Sequence, residues 1–131
     1  MQFIFSIATL FVIPTKSHSQ TTDSTILNLT KQWNLAVSNH DAIELSEEYT
    51  DTISYYGRIK TRTNVLSDKI SFFTKHPDFK QSINSKIEIA KISAYQYKAS
   101  FTKQSSLDGK TTEVKAYLIF VLKNGQWKIS A

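Results

Sequence analysis

Helices first and strands after predict an α+β domain, with N-terminal helices packed on a curved antiparallel sheet that forms a cone with a cavity. Three observations carry this expectation. Apolar residues recur at three- and four-residue intervals as far as Lys75 and alternate from Lys86 to Ile129. Two turn pairs, Asp108-Gly109 and Asn124-Gly125, cut the second half into hairpins. Both faces of residues 114–122 become apolar toward their end, which places that strand at the centre of a sheet.

Ile26, Leu29, Trp33 and Val37, widened by Leu27 and Ala36, predict a first helix over residues 24–39, capped by Asp23 or Ser24. Asp41 and Glu44 have capping-box spacing and open a short second helix with Leu45 and Tyr49 on its apolar face. Ile53, Tyr55 and Gly57 read as a short strand ending in a turn, and residues 58–62 lead out of it. A third helix over residues 63–75 carries Val65, Leu66, Lys69, Phe72 and Phe73 on one side and stops before Pro77. Strands begin at Ile87 and Ile89, with a bulge or bend at residues 90–93. Tyr95, Tyr97, Ala99 and Phe101 then share a face, followed by the strand over residues 114–122 and a return through Trp127 and Ile129.

The 131 residues fit one domain at residues 21–131, preceded by a signal peptide at residues 1–20. Residues 1–13 are apolar apart from Gln2, Ser6 and Thr9, too short to span a bilayer, and small polar residues follow up to a cleavage point near Ser19 or Gln20. The expectation is export to the periplasm or the exterior, with no stable membrane anchor after cleavage. No cysteine is present, so disulfides, thiolate metal sites and lipid-modified cysteines are excluded. The formal charge is +5, unevenly spread: residues 23–51 hold six carboxylates and one lysine, and the chain is basic from Arg58 onward. Lysines spaced singly along strands suit a solvated sheet face rather than a phosphate-binding stripe, so no nucleic-acid partner is expected.

The segment Trp33-Asn34-Leu35-Ala36-Val37 with Asp41 behind it, the stretch from Tyr49-Thr50-Asp51 to Tyr55-Tyr56-Gly57, and the closing Tyr117-Leu118-Ile119-Phe120 with Trp127-Lys128-Ile129 resemble the nuclear transport factor 2-like superfamily, or cystatin-like cone folds. SnoaL-like cyclases and ketosteroid isomerases belong to that superfamily. The resemblance runs from Ile26 to Ser130 and implies a curved sheet wrapped on a long helix around a conical cavity. It implies a shape and not an activity, because the superfamily holds enzymes, binders and interaction modules. The isomerases place a carboxylate base in the short strand after the second helix; matched on Asp51, that position falls near Tyr55 or Tyr56, and the base is missing. Dehydratase and cyclase relatives use a histidine with aspartate partners, whereas the histidines here are His18, His40 and His76.

Among chemistry-bearing residues, His40, Asp41 and Glu44 could be offered as metal ligands, but a helix boundary and a cap already explain them, and no metal site is expected. Glu44, Glu47 and Glu48 would include a general acid only if one were buried beside another; a solvated helix face is the expectation. No serine or threonine sits in a nucleophile elbow, and no glycine-rich loop cradles phosphate. No cofactor is implied.

The most suggestive set is aromatic. Trp33, Tyr55, Phe73, Tyr95, Tyr97 and Tyr117 are the expected ligand contacts, converging on a largely apolar small molecule. An enzyme of the isomerase, hydratase or cyclase type is the alternative, with Asp51 and Tyr55 as catalytic candidates and Tyr97 or Tyr117 in support. A third expectation is a homodimer through the sheet: Ile119 and Val121 lie on the face opposite Leu118 and Phe120, and one of the two sets is free to pair with a second copy.

Overall fold

In the computed structural model, residues 18–131 are described, with side chains from residue 21 onward. Of the expected signal peptide at residues 1–20, residues 1–17 lie outside them and residues 18–20 fall in the first helix. The elements follow the predicted order. Helix α1 spans His18–Ser38, α2 Ala42–Glu48, and the hairpin strands β1 and β2 span Thr52–Tyr55 and Arg58–Thr61. Helix α3 covers Arg62–Lys75, and the sheet strands are β3 Lys80–Ile83, β4 Glu88–Ser93, β5 Gln96–Leu107, β6 Lys110–Lys123 and β7 Gln126–Ile129.

Helix α1 starts well before the expected cap: Asp23 and Ser24 lie inside it. Its far end closes as foreseen from the residue types. His40 adopts φ 57, its N–H donates to Val37 O, and Asp41 N–H reaches back to Ala36 O at 2.8 Å. That reverse turn satisfies the last carbonyls of the helix. The Asp41 backbone N–H is thereby used, so its cap on α2 is one-sided: Asp41 Oδ1 accepts from Glu44 N–H at 3.1 Å. Thr61 caps α3 in the same way, accepting from Asn64 N–H.

The five-stranded sheet is antiparallel and strongly curled. β5 is its spine: one edge pairs with β6 over residues 96–107, while the other is shared by β4 along its first half and β3 along its second. The expected bulge falls between Lys91 and Ser93. β3 and β2 were not foreseen; the sequences KQSI and RIKT lack clear alternation and gain their pairing from β5 and β1. The Asn124-Gly125 turn has φ 50 and 77, the left-handed pair that a two-residue hairpin needs.

Register fixes which side chains face the helices. Tyr97, Ala99, Phe101 and Lys103 on β5 stand opposite Phe120, Leu118, Ala116 and Val114 on β6, and Ile129 continues this face on β7. Ile26, Trp33, Ala36 and Val37 from α1, Leu45 and Tyr49 from α2 and its end, Ile53 from β1, and Val65 and Phe73 from α3 close over it as one buried core. The chain's end is tied in beside β1, with Thr50 N–H donating to Ile129 O and Ser54 N–H to Ser130 O.

Candidate functional site

The six expected ligand contacts do not converge as a set. Trp33 is buried, its Nε1–H donating to Tyr49 Oη at 3.1 Å and its ring tilted against Phe101 at 5.8 Å. Tyr97 is buried edge-on to Trp127 at 5.3 Å. Phe73 is stacked on His40 at 4.4 Å beside Phe79, in an aromatic cluster of its own. His40 Nε2 also hydrogen-bonds Phe79 O at 2.8 Å, so that imidazole joins helix α1 to the start of the sheet. Tyr55 is half-buried between the Lys60 and Lys69 ammoniums, each 5.5 Å from its ring.

Two of the expected contacts point away from the interior. Tyr95 is 68% exposed and Tyr117 is 54% exposed. Tyr95 sits in the β4–β5 turn, ahead of the alternation that begins with Tyr97. Tyr117 pairs in register with Ser100 on the outer face, where Lys98 covers its ring at 4.7 Å and a broad groove of about 500 Å³ runs between Lys86, Lys98 and Lys115. Ile119 and Val121 share that face but are half-buried, and the Ile119 backbone is paired with Ser130 and Ala131. Asp51, the carboxylate candidate, is also turned outward: its side chain is 90% exposed and lies 3.2 Å from the Arg62 guanidinium. The reading of Asp51 as an interior base is therefore corrected. A strand-opening aspartate serves the turn, and Arg62 N–H donates to its carbonyl.

The carboxylate that does go inward is Glu48. A cleft of about 380 Å³ opens between α1, α2 and the β6–β7 hairpin. Thr25, Leu29 and Gln32 form one wall, Glu44, Glu47 and Glu48 another, and Phe120, Trp127 and Ile129 the floor. Both Glu48 oxygens are buried, and neither meets a hydrogen-bond donor among the described residues. The nearby Lys128 ammonium is spent on Glu47 O. Burial therefore drives the Glu48 carboxyl from the ordinary 4.5 up to about 8. The Glu44 carboxyl alongside adds to this through a shared hydrogen bond and like charge, Asp41 adds repulsion, and Lys128 offsets part of it. At neutral pH this carboxyl is protonated, able to donate as well as accept.

The expectation of a solvated face for Glu44, Glu47 and Glu48 is thus overturned at Glu48. The signal was present in the spacing. Glu44 and Glu48 lie one turn apart, directly beside the buried Leu45 and Tyr49. A helix of seven residues docked by such a stripe leaves its flanking side chains little path to water.

At the opposite charge pole, Lys69 on α3 and Lys103 on β5 also turn inward. The Lys103 ammonium lies 6.0 Å from the Trp33 ring. Burial lowers the Lys69 amine to about 8, helped by the neighbouring Lys103, and burial lowers Lys103 as well. Neither is among the ion pairs of the described residues, Lys60–Asp68 and Arg62–Asp51.

No family model matches the sequence, and no curated protein is similar to it. Solved structures are. Bd1075 of Bdellovibrio bacteriovorus superposes with a TM-score of 0.74 at 15% identity over 88% of this chain, which spans only 42% of that protein. A cystatin-like protein from Caulobacter vibrioides gives 0.68 at 18% identity over 80% of this chain and 82% of its own. A candidate dehydratase of the nuclear transport factor 2-like family from Streptomyces avermitilis gives 0.71 at 13% identity over 86% and 93%. With helices laid on a strongly curled antiparallel sheet and these neighbours agreeing on it, the chain has the nuclear transport factor 2-like, or cystatin-like, cone fold.

Proposed function

We propose that this domain binds a small, largely apolar amine in the α1–α2–β7 cleft, with Glu48 as the group that recognises it. The observation that carries the reading is the Glu48 carboxyl, buried without a hydrogen-bond donor on the wall of a 380 Å³ cleft, with the Glu44 carboxyl beside it. Ionising a buried carboxyl that no donor meets is costly, and a ligand that supplies a donor recovers that cost. The volume is in the range of small-molecule sites, and Leu29, Phe120, Trp127 and Ile129 offer an apolar bed. Glu44 and Glu47 make the rim acidic, which favours a cation. An ammonium entering there takes the place of the Glu48 proton, so binding at pH 7 releases up to one proton.

Calorimetry with benzylamine in buffers of different ionisation heat tests this. Saturable binding with proton release, weakened at least tenfold in Glu48→Gln, is the expected result. Equal binding by Glu48→Gln, or no binding with release, removes the reading.

A second reading has its own observation. Two carboxyls one turn apart, one of them titrating near 8, provide a proton donor and acceptor at physiological pH. This supports a hydratase- or isomerase-type proton transfer with Glu48 in place of the missing Asp51 or Tyr55 base. A substrate turned over by wild type and lost in Glu48→Gln, with binding retained, would favour it over simple binding.

The apolar residues 1–13 support export of the domain. Cell fractionation with mass determination of the mature N-terminus checks it: cleavage near Ser19 or Gln20 is expected, and an intact Met1 in the cytosol opposes it.

A further inference from the structure

The groove on the outer face of the sheet shares no lining residue with the Glu48 cleft, and the strand register shows how it is built. Lys115 on β6 pairs with Thr102 on β5. On the other flank Ser85 Oγ accepts the Thr102 N–H at 2.7 Å, which brings the adjoining Lys86 alongside. Two lysines therefore straddle one hydroxyl, their backbones two strand spacings, about 10 Å, apart. The next row is Glu88, Ser100 and Tyr117, each in register with its neighbour. Lys98 leans over Tyr117 with its ammonium 4.7 Å from the ring centre, so a third cation closes the far end. A space of about 500 Å³ lies among these side chains.

Their charges are not cancelled within the protein. The ion pairs among the described residues are Lys60–Asp68 and Arg62–Asp51, and the Ser100, Thr102 and Tyr117 hydroxyls have no hydrogen-bond partner among those residues. Three cations against one carboxylate call for an anion. Glu88, in the middle row, repels a strand of closely spaced phosphates but accepts hydrogen bonds from hydroxyls. An acidic peptide gains most by adding a strand to a free sheet edge, whereas β5 is already paired on both sides at these rows. A uronate sugar chain carries carboxylates, hydroxyls and apolar C–H faces at short intervals and needs no backbone edge.

We propose that this groove binds a uronate-bearing glycan. Lys86 and Lys115 hold a carboxylate above Thr102, Lys98 meets a second one, Glu88 and Ser100 take sugar hydroxyls, and the exposed part of the Tyr117 ring takes a sugar face. The volume is that of a small-ligand site. The proposal is independent of the amine cleft and survives if that reading fails.

The test is calorimetric and backbone NMR titration of the full chain with trigalacturonate, with its trimethyl ester as the uncharged counterpart and triglutamate as the acidic peptide. Trigalacturonate should saturate, shift the amide resonances of Ser100, Thr102 and Tyr117, and weaken as salt is raised. Lys86→Gln combined with Lys115→Gln should weaken it about tenfold and Tyr117→Ser about threefold; all three side chains are exposed, so these variants keep the fold. Glu48→Gln should bind it as wild type does. Equal binding of the ester, tighter binding of triglutamate, or no shift at the three outer-face amides overturns the proposal.

Discussion

The two ends of the interior carry the same physics with opposite sign. On the acidic side, the short helix α2 turns Glu48 into a cleft where no donor meets it, and burial raises the carboxyl to about 8. On the basic side, α3 and β5 turn Lys69 and Lys103 inward where no acceptor meets them, and burial lowers the Lys69 amine to about 8. Both poles are pushed toward neutrality, and the charge asymmetry of the sequence is kept as a separation in space. Acid and base could have cancelled in one buried pair and given an ordinary structural ion pair. Keeping them apart leaves two unmet electrostatic demands in a domain of modest size, which is what recognition sites require and a stability-optimised core avoids.

The largest effect on this contrast should come from Trp33, whose ring packs on Phe101, receives Lys103 and anchors Tyr49 next to Glu48. Trp33→Ala should cost about 3–5 kcal/mol, read by urea denaturation. A loss under 1 kcal/mol would show that the two poles share no common floor.

Next is the pH dependence set by Glu48. Below about pH 4.5 the folded and unfolded chains both hold the proton; between there and about pH 8 the folded chain alone holds it. Stability therefore falls as pH rises through this window and levels off above it. Because the residue is only half-buried, the loss is about 2 kcal/mol rather than the full linkage value. Glu48→Gln should flatten the curve, and an unchanged slope would break the comparison on its acidic side.

On the basic side, Lys69→Met should raise stability at pH 7 by about 1 kcal/mol, because it removes an unpaired buried charge and keeps the stem. Wild type should regain that difference as pH rises from about 8 toward 10.5, where the folded chain gives up the Lys69 proton first. A destabilised Lys69→Met would mean the amine has a structural partner. Asp41→Ala, which removes the cap at Glu44 N–H, should cost about 1 kcal/mol by thermal melting and lower the Glu48 pKa as α2 loosens. Smallest of all, Tyr117→Ser on the outer face should change stability by less than about 0.5 kcal/mol and leave both poles untouched.

The fold was legible because its signals are local. Helical spacing through Trp33 and Val37, the Asp41 cap, Pro77 and the Asn124-Gly125 turn each act within a few residues, and each stands where it was read. β3 was missed because Gln81 and Ser82 become strand only through pairing with Ser105 and Gln104. The site was less legible. Alternation assigned Tyr97 inward correctly, but Tyr95 precedes the strand and Tyr117 is in phase with Ser100, so aromatic character pointed inward where register did not. Glu48 was read as part of a solvated helix face, and Lys69 was placed on the apolar side of the third helix without weight given to its charge. Whether a long charged side chain is desolvated depends on what packs across from it, here the β6–β7 hairpin for Glu48, and that neighbour lies far away in sequence.

The most direct measurement is a side-chain carbon-13 NMR titration of the Glu48 carboxyl in the ligand-free chain. A midpoint near pH 8, well separated from the other glutamates, is the predicted result. A midpoint near 4.5 would mean the carboxyl is solvated and charged at neutral pH, and would contradict the assignment of this cleft as the recognition site.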